Sequence, residues 1–186
     1  LYLKFLLSLN TFLKKENNML KSIILSTLLV SGSLFASDLK AEFTDAKWDG
    51  MTVPKDEVCS NFNESKIGST PPLKVSNIPS GTAKLVFTYS DKTFTKMDNG
   101  GHGIVSYKVA SDAKEISVPA QGGETFELVD GFEVVTAHTG TRFKKTPGAY
   151  LAPCSGGKGN TYKVGIEALD SANKSLASTE LVLGKF

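Results

Sequence analysis

The 186 residues are 40% hydrophobic and 22% charged and include 17 glycines and seven prolines, a balance that suits one ordinary domain with a substantial core and many turns. The formal net charge of +2 is concentrated at the start, because four of the 21 basic residues and one of the 19 acidic ones lie in the first 36 positions, leaving 17 against 18 beyond them. Such a chain has no electrostatic case for binding nucleic acid.

Residues 1–18 read as an upstream extension, with Leu1 to Leu13 largely apolar and Lys14 to Asn18 polar. Met19 opens a better-formed start, in which Met-Leu-Lys21 is a short basic region, Ser22 to Phe35 an apolar run and Leu34-Phe-Ala36 a processing site. Residues 19–36 are therefore expected to be a signal peptide cleaved after Ala36, and 37–186 a single domain. Position 37 is Ser, so no lipid anchor is indicated, and the run is short for a membrane span. The expected location is periplasmic or secreted, with no permanent membrane anchor. An oxidising compartment permits a bridge between the two cysteines, Cys59 and Cys154, and their spacing rules out a CxxC redox motif.

Beyond the signal region, short period-2 patterns recur between turn signals. Leu39 to Trp48 is a weak strand that turns at Asp49-Gly50, and 55–70 is a polar loop pinned by Cys59. Leu73 to Val75 follows the Pro71-Pro72 pair. In Ala83 to Ser90, Ala83, Leu85, Phe87 and Tyr89 alternate with Lys84, Val86, Thr88 and Ser90, which predicts a strand with one face on the core and Asp91 at its rim. The next strand, Ile104 to Val109, begins just after Gly101-His102-Gly103, so the intervening loop can return His102 beside Asp91. Glu115 to Val118, segments around Phe126, Leu128 and Phe132 to Val135 with an Asp130-Gly131 connection, and Leu181 to Leu183 add short strands. Thr139 to Ala149 reads as a loop carrying Arg142, Lys144 and Lys145. Tyr162, Val164, Ile166 and Ala168 give the clearest strand of the second half. With no long 3.6-residue stripe and no internal repeat, the pattern favours an antiparallel, mainly β domain.

Chemistry-bearing residues are few. His102, His138, Asp91 and Tyr162 can build a hydrogen-bonded polar pocket. Gly156-Gly-Lys-Gly159 lacks the spacing and the Ser or Thr of a phosphate loop and reads as a turn beside Cys154. There is no HExxH or Cys-His cluster, and neither Ser90 nor Ser155 lies in a nucleophile elbow, so no metal, cofactor or catalytic residue is assigned.

Two ordered blocks carry a resemblance. Thr70-Pro-Pro-Leu73, Asn77-Ile-Pro79, Gly81-Thr82, the strand, Asp91 and His102 form one; Tyr150-Leu-Ala-Pro-Cys154, Tyr162 and Ala168-Leu-Asp170 form the other. Together they resemble the phosphatidylethanolamine-binding protein family, also called Raf kinase inhibitor-like, in its bacterial branch. The resemblance implies a Greek-key β sandwich with small peripheral helices. It also implies an anion pocket made by Asp91, His102 and Tyr162, with Asn160 and Pro153 beside them. Departures are clear: Thr93 stands for the family's second carboxylate, Thr95 for its second proline, and Gly103 for a tryptophan. Asn160-Thr161-Tyr162 replaces His-Arg-Tyr, and only a short segment separates Asp170 from Leu181 where a helix is usual.

The implied function is an exported, non-catalytic binding protein for a small anionic or phosphate-bearing ligand. Alternatives are a protein-interaction or inhibitory module with a vestigial pocket and, third, a small hydrolase. A homodimer or protein partner is implied only by analogy. If His102 acts as a cation, binding of phosphate-monoester heads should strengthen toward mildly acidic pH.

Overall fold

The structure, a computed structural model, describes residues 38–140 and 146–186. The expected extension, the signal peptide and the basic run from 142 to 145 lie outside the described residues.

Among the described residues eight strands form, β1 Lys40–Phe43, β2 Leu73–Ser76, β3 Lys84–Asp91, β4 Ile104–Lys108, β5 Glu115–Val118, β6 Phe132–Thr136, β7 Thr161–Leu169 and β8 Ser175–Lys185. All pairings between them are antiparallel. They make a three-stranded sheet, β1-β2-β5, and a five-stranded sheet, β6-β4-β3-β7-β8. The antiparallel, mainly β domain expected from the alternation and the two-sheet sandwich implied by the resemblance are what the described residues adopt. In the larger sheet the link from β6 to β7 carries the chain from beyond β4 to the far side of β3, a Greek-key connection. The helical content among the described residues is one 3-10 turn, Thr95–Met97.

Period-2 patterning places the core. Leu73 and Val75 of β2 and Val118 of β5 share one buried cluster with Leu85 and Phe87 of β3, Val105 of β4 and Val164, Ile166 and Ala168 of β7. In the β3–β7 ladder Leu85 pairs with Ala168, Phe87 with Ile166 and Tyr89 with Val164, so apolar residues face apolar residues across the two strands. The next pair in that alternation is Asp91 with Tyr162. The core-facing row of both strands thus ends in a carboxylate and a phenol.

Two expected segments differ. Phe126 and Leu128 are not in a strand, so Asp130-Gly131 forms a turn into β6 and joins no hairpin. The side chain of Gln121 takes the place of a ladder there: its Nε2 donates to the carbonyls of Gly122 and Glu127, and its Oε1 accepts from the Val129 N–H. The second difference is at the C-terminal side, where Leu181 to Leu183 is only the end of an 11-residue strand. The polar segment after Asp170 is a tight turn, with Asp170 Oδ1 accepting from the N–H groups of Ala172 and Lys174, and it closes a β7–β8 hairpin, in keeping with the short segment noted there in the sequence.

Candidate functional site

Three connections converge beyond the C-terminal end of β3 and the start of β7: the 92–103 link to β4, the described parts of the 137–160 link from β6 (137–140 and 146–160), and the loop between β1 and β2. They enclose a cavity of about 260 Å³. Asp91, His102, Asn160 and Tyr162 all line it, together with Asn61, Thr93, Phe94, Met97, Leu151, Cys154, Ser155 and Lys158. Four of the five residues singled out from sequence as ligand-binding therefore share one wall. The fifth, Pro153, is buried one step behind it, where its carbonyl accepts the Cys59 N–H.

Each polar group at the deep end is held. Asp91 Oδ1 accepts from the backbone N–H groups of Thr93 and Phe94 at 2.9 and 3.1 Å, a short turn that fixes the carboxylate as the strand ends. Its Oδ2 accepts from Asn160 Nδ2 at 2.5 Å. Asn160 itself is fastened by paired backbone hydrogen bonds with Phe186, beside the β7–β8 pairing. Tyr162 accepts at its hydroxyl from the Cys154 N–H at 3.1 Å, and burial pushes its pKa up to about 12, so it remains a neutral phenol.

His102 is 3% exposed. Its Nδ1 lies 2.8 Å from the Leu151 carbonyl oxygen, which can only accept, so Nδ1 carries the proton and Nε2 presents a lone pair. Burial lowers its pKa to about 4 against the opposing contributions of the Leu151 bond and Asp91. Burial thus favours His102 as a neutral imidazole across the mildly acidic range, and the condition under which it would act as a cation is disfavoured. The ring stands edge-on to Tyr162, with centroids 5.2 Å apart at 90°.

The glycine after it explains one departure from the family pattern. Gly103 has φ +111°, and a Cβ there would collide with the Ala149 carbonyl. Backbone from the 137–160 link occupies the space that a tryptophan would need. That close approach also brings Leu151 onto the histidine, since the Leu151 N–H donates to the His102 carbonyl.

His138, grouped with these residues from sequence, is buried but does not line the cavity. Neither ring nitrogen makes a hydrogen bond of ordinary geometry. Burial lowers its pKa, opposed by the nearby Thr146 backbone and by Glu124.

Among the described residues, the cation that lines the cavity lies in the Gly156–Gly159 turn, not in a recognised motif. Lys158 lines the cavity from the exposed turn 156–159, whose three glycines all adopt positive φ and let the chain double back beside Cys154. Lys92, nearer Asp91 in sequence, instead pairs with Glu180 at 3.4 Å. The apolar contributors Phe94 and Met97 stand outside every pattern singled out in the sequence, and Leu151 was quoted only as part of the Tyr150–Cys154 block. A hydrophobic residue in a loop between turn signals carries no period that would distinguish it.

Cys59 and Cys154 are joined, with Cα atoms 5.3 Å apart across 95 residues of sequence. The bridge ties the β1–β2 loop to the cavity wall, and Asn61 Nδ2 donates weakly to Cys154 Sγ at 3.7 Å. Among the described residues no group of three or more His, Cys, Asp or Glu is placed to hold a metal, and no helix is long and apolar enough to cross a membrane. The Ser155 hydroxyl, which also lines the cavity, donates to the Phe186 carbonyl.

No family model matches the chain, and no curated protein does. Among solved structures it is similar to a crystal structure from Chlamydia trachomatis D/UW-3/CX described as a phosphatidylethanolamine-binding protein homolog. The identity is 17% over 80% of this chain and 97% of that one, with a TM-score of 0.48.

Proposed function

We propose that the chain is an exported, non-catalytic binding protein of the phosphatidylethanolamine-binding type, and that its cavity takes one small ligand bearing an anionic or phosphate head. The observation that carries this reading is the convergence of Asp91, His102, Asn160 and Tyr162 on a single cavity, each fixed by a hydrogen bond to a neighbouring element. Prearranged polar groups beside an apolar wall suit a ligand with a compact polar head and a short apolar body. Lys158 at the exposed side supplies the charge that attracts an anion, and the amide of Asn160 and the phenol of Tyr162 supply neutral donors. The volume of about 260 Å³ admits a head group and a ring or short chain. Domain 37–186 alone would carry this function.

Calorimetric titration of the protein with a phosphate monoester tests the reading. Micromolar to millimolar binding is expected, with loss of at least tenfold in His102→Ala. Unchanged affinity in a folded His102→Ala protein would move the ligand elsewhere.

A second reading, a protein-interaction module, is favoured by one feature. Strand β6 is an edge of the larger sheet whose last four residues, Glu133 to Thr136, are exposed, including Val134 and Val135.

A further inference from the structure

At two of its groups, His102 and Asp91, the deep end of the cavity is unusual for an anion site because their unspent capacity is to accept hydrogen bonds, while Asn160 and Tyr162 keep donors. His102 has committed its one N–H to the Leu151 carbonyl, so Nε2 can only accept. A carboxylate oxygen has room for about two hydrogen bonds. Asp91 Oδ1 already has two, from Thr93 and Phe94, whereas Oδ2 has one, from Asn160. A fully deprotonated oxygen placed against these two atoms would meet lone pairs and a negative charge. One that carries a proton would meet partners.

We propose that His102 Nε2 and Asp91 Oδ2 act as specificity determinants that select ligand heads bringing a hydrogen-bond donor to the deep end of the cavity, so that a phosphate monoester enters as its monoanion and an aprotic anion such as a sulfate ester is rejected. The inference rests on the reading above, that the cavity takes an anionic head, and adds which protonation state of that head it takes. The phosphate O–H would be shared with Nε2 or Oδ2, its charged oxygens facing Asn160, Tyr162 and Lys158. Rejection follows from the cost of leaving a buried acceptor opposite another acceptor, which is larger than the gain from any single hydrogen bond.

Among the described residues, the groups that face this end are Asp91, His102 and Tyr162, with Lys158 at the rim, and His138 with Glu124 behind. His102 and Tyr162 keep their neutral forms at neutral pH, His102 with its pKa lowered to about 4 and Tyr162 with its pKa pushed up to about 12, and burial lowers the pKa of His138. The proton whose loss governs binding near neutrality is therefore the ligand's own, with a second pKa of about 6 for a phosphate monoester.

Phenyl phosphate and phenyl sulfate share one apolar body and differ in that proton, so calorimetry with both between pH 5.5 and 8 provides the test. Phenyl phosphate should bind best at pH 5.5 and weaken by about tenfold per pH unit above 7 as the monoanion is depleted. Phenyl sulfate should bind at least about tenfold more weakly at pH 5.5, with no trend of that size. Asp91→Asn, which keeps Oδ1 for the Thr93 and Phe94 N–H groups but adds an amide donor, should raise phenyl sulfate affinity and narrow the gap. Equal affinity for the two ligands, or phosphate binding that strengthens with rising pH, overturns the proposal while leaving an anion site in place. Binding of neither ligand overturns the anion reading itself.

Discussion

At the scale of single residues, the state of His102 decides how the cavity behaves. A histidine that loses its solvent on folding holds its proton less well than it does in the unfolded chain. Between its ordinary pKa of 6.5 and the folded value of about 4, the unfolded state binds more protons, so stability is complete above 6.5 and falls as pH drops toward 4. The shift corresponds to about 3 kcal/mol over that window. Urea unfolding at pH 7 and pH 4.5 should show a larger loss for the wild type than for His102→Gln, which can still donate to the Leu151 carbonyl; parallel losses would contradict a buried neutral imidazole. The meeting of Asp91 and His102 was legible in the sequence because an alternating strand fixed where the aspartate would end and a glycine-flanked loop had only a short way to return. The charge state was not legible, since it depends on Leu151, 49 residues away, and on burial that no local pattern encodes. Lys158 was overlooked for a related reason: a Gly-rich turn has no period, and only the fold puts it at the mouth.

Among the elements, the β1–β2 loop is the least regular and the most firmly tied. Glu57, 1% exposed, is bound by Lys47, by Lys66 at 2.9 Å and by the Ser69 hydroxyl and backbone N–H. Burial raises its pKa, but the hydrogen bonds from Lys47, Lys66 and Ser69 together outweigh that and lower it. Its contribution to stability is therefore present above its ordinary pKa of 4.5 and is lost as pH falls through the lower folded value. Glu57→Gln should cost about 2 kcal/mol at pH 7, with the difference from wild type shrinking as pH falls below 4, measured by thermal or urea unfolding. A constant difference over that range would mean that the carboxylate's charge is not what holds the loop. The disulfide adds a second tie to the same loop, and its pairing was foreseeable because the chain has only two cysteines. Strand β8 was seen only at its apolar end. As an edge strand it keeps few buried residues, and its first half, Ser175 to Glu180, is strand because β7 supplies a partner, not because its own pattern demands it.

At the scale of the molecule, the cavity is the place where the sandwich core runs out. The inward row of β3 and β7 continues past the last apolar pair, Tyr89 with Val164, into Asp91 with Tyr162, and the two long links fold over that open end. The fold and the site are thus consequences of one alternating pattern, and the five-stranded sheet acts as the rigid platform for the polar end. Binding should leave the sheet unchanged and perturb only what surrounds that end. The most direct measurement is a two-dimensional NMR titration of the folded protein with phenyl phosphate at pH 5.5, following backbone amides, the Asn160 side-chain amide and the His102 ring. Shifts confined to Asp91 through His102, Leu151 through Tyr162 and the Asn61 region are predicted, with the His102 ring remaining neutral. Shifts clustered on β6 or β1, with those groups unmoved, would contradict a ligand site at the end of β3 and β7.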